Sequence, residues 1–163
     1  MNINLLKQIC VLSLFLGAVL GILTLIPIIN QISFWVLMCF AATCIMLFMI
    51  KFELLEIKSV QESAVLGAII GFVSFIGFSL TYIPVTVILA KLFQVYTNYG
   101  VAVSLINASF GVTVVLVIFM GILSATVNAF SGFLTYYGID FYKLLYKKDI
   151  ENSKFEVKDN DRI

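Results

Sequence analysis

The chain contains no histidine. That absence removes the base from every Ser–His and Cys–His nucleophile pair and a principal ligand type from zinc and haem sites. Cysteine is scarce. Cys10, Cys39 and Cys44 all lie in apolar runs, and no C-x-x-C pair occurs. They read as small buried hydrophobes, which gives neither a disulfide framework nor a metal site. Charge is scarcer still for the length: 12% of the 163 residues are charged and 62% are apolar, with a mean hydropathy of +1.12. A soluble domain carries about 25% charged and roughly 45–50% apolar residues. So little polar surface cannot wet a small globule, and lipid must be the solvent for much of it. The net charge of +1 gives no global attraction to nucleic acid.

Catalytic signatures are missing too. There is no P-loop, no H-E-x-x-H and no G-x-S-x-G. The nine acids, Glu53, Glu56, Glu62, Asp140, Asp149, Glu151, Glu156, Asp159 and Asp161, all fall outside the long apolar runs. An intramembrane aspartyl site needs two acids at depth, and a proton-coupled transporter usually carries an ionisable group there. The expectation is a protein that is not an enzyme and that takes no cofactor and no metal.

What is present is apolar length. A membrane-spanning helix needs about 20 residues at about 1.5 Å each. Four segments qualify: Ile9–Ile29, Phe34–Ile50, Ala64–Ala90 and Ala108–Tyr137. The first is longer than the apolar region of a cleaved signal and has no small-x-small site at its end, so it reads as a retained span. Pro27 and Pro84 sit near the outer ends of their spans, where each is expected to kink or end a helix. The stretch from Gln94 to Asn107, with Tyr96, Asn98, Tyr99 and Gly100, reads as an outer connection with interfacial aromatics and room for a short surface helix.

Charge placement gives these spans a direction. Lys7 precedes the first. Lys51 and Lys58 separate the second and third. Lys143, Lys147, Lys148, Lys154, Lys158 and Arg162 follow the fourth, leaving Lys91 as the one basic residue of ten on the other side. The positive-inside rule then puts both termini in the cytoplasm of a multi-pass cell-membrane protein. The fold class predicted is all-α, a polytopic bundle of four transmembrane helices over residues 1–148. A charged tail over 149–163 reads as disordered.

Two patterns within the spans carry more. Leu16-Gly17-Ala18-Val19-Leu20-Gly21 and Leu66-Gly67-Ala68-Ile69-Ile70-Gly71 lie 50 residues apart, and the likeness runs on to Ile26 and Ile76. It suggests two repeated helical hairpins, although the second and fourth spans show no match. Each copy is a G-x-x-x-G, so Gly17, Gly21, Gly67 and Gly71 are expected to let a neighbouring helix approach closely. In the fourth span Ser124, Asn128, Ser131 and Thr135 recur at helical spacing. An unpaired amide in hydrocarbon costs several kcal/mol, so Asn128 should face a partner helix or water.

Two functions follow from these patterns. One is a non-enzymatic interaction or accessory subunit that packs through its small-residue faces, as a homo-oligomer or beside a larger membrane partner in the lipid bilayer. The other is a small oligomeric channel or transporter lined by the fourth span, with Asn128 and its hydroxyl neighbours on the path.

Overall fold

The computed structural model describes residues 3–57, 59–96 and 98–160, with side chains through Tyr146 (Tyr99 excepted). Lys58 and Arg162, which enter the charge argument, lie outside the described residues. The elements are α1 (Ile3–Leu23), α2 (Asn30–Trp35), a π-helical segment (Val36–Phe40), α3 (Ala41–Lys51), α4 (Val60–Leu92), α5 (Tyr99–Asn107) and α6 (Phe110–Asn160). No strand occurs among the described residues. Four helical stretches are long and apolar enough to cross a membrane: Ile3–Leu23, Asn30–Lys51, Val60–Leu92 and Phe110–Tyr146. The protein is a four-span, all-helical membrane protein.

The ends of these helices differ from those expected, for local reasons. The first span begins six residues early and ends at Leu23. Lys7 is exposed on the first turns, where a helix tolerates it. At the other end the Thr24 hydroxyl donates back to the Leu20 carbonyl at 2.7 Å, and the following bonds tighten to three-residue steps ahead of Pro27. The polar stretch from Asn30 to Ser33 does not separate spans: Asn30 opens α2.

At α4 the Ser59 hydroxyl accepts from the Glu62 N–H at 3.2 Å, and Glu62 sits in the first turn, where the helix dipole favours an acid. Pro84 does not end this helix, which runs on to Leu92. The carbonyl that its missing N–H would have bonded belongs to Leu80, on the exposed side. Ser109 caps α6 by accepting from Val112 N–H at 3.4 Å. The region read as an outer connection holds α5, capped by Asn98 through Val101 N–H at 3.3 Å. The charged tail begins within α6, whose backbone extends to Asn160, and residues 161–163 lie outside the described residues.

α4 is the centre of the bundle, packed on α1 along one face and on α6 along another. Residue pairing sets the directions. Gly17 meets Ser74 and Phe78 while Gly21 meets Phe78 and Thr81, so α1 and α4 run parallel. Ser63 meets Gly132 and Ser124 meets Gly71, so α4 and α6 run antiparallel. Asn128 meets Leu37–Ala42 while Ser131 and Thr135 meet Thr43, so the second and fourth spans run parallel. Lys7, Lys51 and Lys143 therefore share one end of the bundle and Lys91 marks the other.

Two apolar clusters fill the interior. Ile9, Ala42, Ile45, Met46, Met49, Leu66 and Ile70 pack near the lysine-rich end. Leu20, Leu37, Phe75, Phe78 and Tyr82 pack toward the opposite end. There Phe34 meets Phe78 edge-on at 6.3 Å and Phe78 stacks on Tyr82 at 5.1 Å.

Candidate functional site

The most polar side chain at depth, Asn128, is fully buried. It lies against the π-helical segment of the second span. In an unbroken α-helix the Ala42 N–H would bond the Met38 carbonyl. Here the Ala42 N–H donates to Asn128 Oδ1 at 2.8 Å, and the Met38 carbonyl accepts from Asn128 Nδ2 at 2.9 Å. The amide is thus set into a rung of the ladder, bridging its two halves. Nδ2 also lies 3.2 Å from the Leu37 carbonyl and donates to the Ser124 carbonyl of its own helix at 3.0 Å. Phe40 leaves helical geometry here, at φ −123° and ψ −1°. A π-turn frees backbone groups that hydrocarbon cannot satisfy, and this amide pairs them.

The hydroxyls beside it can be counted by their protons, one to each. Thr135 Oγ1 donates to the Ser131 carbonyl at 2.8 Å, which uses its proton. In its 2.9 Å bond to Thr135, Thr43 Oγ1 must then be the donor. In its 2.7 Å bond to Thr43, Ser131 Oγ must be the donor in turn. The three hydroxyls form a directed chain, Ser131 to Thr43 to Thr135, ending on a backbone carbonyl. Ser124 Oγ donates to the Gly71 carbonyl at 3.0 Å, and Ser63 Oγ donates to the Gly132 carbonyl at 2.6 Å. Both amide protons and all five hydroxyl protons are committed within the bundle. None is left to donate to a passing solute.

The four glycines singled out by the sequence lie at helix contacts, but at two different ones. Gly17 and Gly21 face α4, whereas Gly67 and Gly71 face α6. A Cβ on Gly17 would run into the Ser74 carbonyl oxygen and lie 2.9 Å from Phe78 N. One on Gly67 would run into the Asn128 carbonyl oxygen, and one on Gly71 would stand 2.6 Å from the Asn128 Cβ and the Ser124 carbonyl oxygen. Corresponding glycines of the 50-residue likeness therefore occupy non-corresponding interfaces. Further along the same helix, Ser74, Gly77 and Phe78 turn away from the face of Gly67 and Gly71 and meet α1. Residues within one span are divided between two neighbours because α4 is central.

Sequence reasoning did not single out Thr43, Ser63 or the π-helical segment. A lone hydroxyl in a span can bond back to its own helix, so nothing in the sequence distinguishes Thr43 from a neutral residue. Ser63 lies one residue before Ala64, the expected start of its span, and so falls outside the apolar run. Two buried hydroxyls, Ser74 Oγ and Thr86 Oγ1, have no partner among the described residues.

No family model matches the chain, and no curated protein or solved structure is similar to it.

Proposed function

We propose that this is a non-enzymatic membrane protein that works by association, as an accessory subunit of a larger assembly or as an oligomer of itself. The observation that carries the reading is the contrast between the two sides of α6. Its polar stripe is spent inside the bundle. Its other face is bare, and counted all round, 11% of the most apolar 18-residue stretch of this span is buried, against 50% for α4. Val115, Phe119 and Ile122 on that face are all more than half exposed. The small-residue faces serve the chain's own fold, so a partner would be met by α6 instead. A path for a solute that must accept hydrogen bonds draws no support from the stripe, since its donors are already taken.

Photo-activatable residues at Phe119 and Ile122, introduced singly and activated in native membranes, should give protein adducts of one discrete added mass. The same probe at Val11 and Phe15, on the exposed face of α1, should give lipid adducts alone. Lipid adducts alone at all four positions would sink the reading.

The cell membrane is the proposed location, with both ends of the four-span bundle in the cytoplasm. Supporting this, Lys7, Lys51 and Lys143 share one end of the bundle. A phosphatase that is active only outside the cytoplasm should be inactive when fused after residue 163 and active when inserted at Gln94. The opposite pattern would reverse the orientation.

A further inference from the structure

On the surface of the bundle a groove of about 910 Å³ runs between the second and fourth spans. One wall is Phe40 and Leu47, the other Val127 and Leu134. Its floor includes Thr43, Ser131 and Thr135, whose hydroxyl protons are committed to one another and to a backbone carbonyl. The floor therefore offers no donor to an occupant, and the interior suits a hydrocarbon chain. The groove is not uniform along its length. At the end that carries most of the chain's basic residues it closes on Lys51 and Lys143, which are its only charged lining. Among the described residues neither lysine is held in an ion pair. The acids of this region, Glu53, Glu56 and Asp140, line a neighbouring hollow that Lys143 also borders, and none of them lines the groove.

The length of the groove identifies what fits. From Cys39 to Lys51 the helix rises about 18 Å. One leaflet of a bilayer contributes about 15 Å of hydrocarbon. An acyl chain entering from mid-membrane would thus bring its headgroup level with both lysines. We infer that this groove is a seat for one anionic glycerophospholipid, with an acyl chain between the spans and its phosphate between Lys51 and Lys143. A zwitterionic lipid fits the apolar part equally well, but its ammonium would meet the same two cations.

The full chain in detergent is mixed with equal amounts of phosphatidylglycerol and phosphatidylcholine of identical chain length, and bound lipid is weighed on the intact protein. One phosphatidylglycerol per chain should be retained, in about tenfold preference. Lys51→Gln and Lys143→Gln should each reduce that retention about fivefold. Lys7→Gln, at the same end but outside the groove, should leave it unchanged. A Cβ at Gly138, another lining residue, meets nothing within 4 Å. Gly138→Trp should therefore fill the groove without disturbing the bundle, and should abolish retention while the melting temperature holds. Three results overturn the inference: equal retention of the two lipids, an equal loss in Lys7→Gln, or displacement of the lipid by excess glycerol phosphate. The last would mean a phosphate site that needs no acyl chain.

Discussion

Asn128→Leu should be among the most destabilising single substitutions in this chain. It leaves the Ala42 N–H and the Met38 carbonyl facing each other across a gap that apolar atoms now fill. Each buried group without a partner costs about 1–3 kcal/mol. Interhelical bonds in membranes average nearer 0.6 kcal/mol, because the separated helices find other partners. A net loss of roughly 2–4 kcal/mol is expected, a large part of the ~5–15 kcal/mol that holds a typical domain together. Reversible unfolding in mixed micelles measures it. Thr126→Leu is the comparison on the same helix. Thr126 is exposed and its hydroxyl only bonds back to Ile122, so its loss should change stability by less than about 0.5 kcal/mol. If the two variants unfold alike, the amide is not holding the π-helical segment.

Glycine-to-alanine substitutions should change sign according to place. At Gly17 and Gly67 the obstructing atoms are backbone, which cannot rotate aside. Each alanine must push two helices apart, at about 1–3 kcal/mol. The first substitution loosens α1 from α4 and the second loosens α4 from α6, so the double variant should lose roughly the sum. At Gly138 nothing lies within 4 Å of the new atom. There alanine only removes the backbone freedom of glycine in a helix, and stability should rise by up to about 1 kcal/mol. The same micelle experiment reads all three. An Asn128 or glycine phenotype confined to assembly, with the isolated chain unfolding normally, would return these residues to an interface between chains.

These expectations differ from those the sequence alone would support, and the differences have physical sources. The number of spans was legible because hydrocarbon demands about 20 apolar residues in a row. Their ends were less so: hydropathy does not register the Thr24 hydroxyl that closes α1 or the Ser109 that caps α6. Asn128 stood out because no other amide lies as deep in an apolar run. Its partner did not, because Val36-Leu37-Met38-Cys39-Phe40 is an ordinary apolar stretch whose break is in the backbone alone. The glycine pairs were visible as pairs. Which neighbour each one admits depends on α4 being central, and no local pattern records that.

The broken rung at Met38 and Ala42 also bears on descent. A π-turn is one residue more than an α-helix needs, and here the surplus is accommodated by an amide 86 residues further on. Loss of the surplus residue alone would strand the amide in hydrocarbon. Loss of the amide alone would strand the backbone. A lineage can leave this arrangement without penalty only by changing both, so in divergent relatives the length of the second span and the identity of position 128 should be inherited as one character.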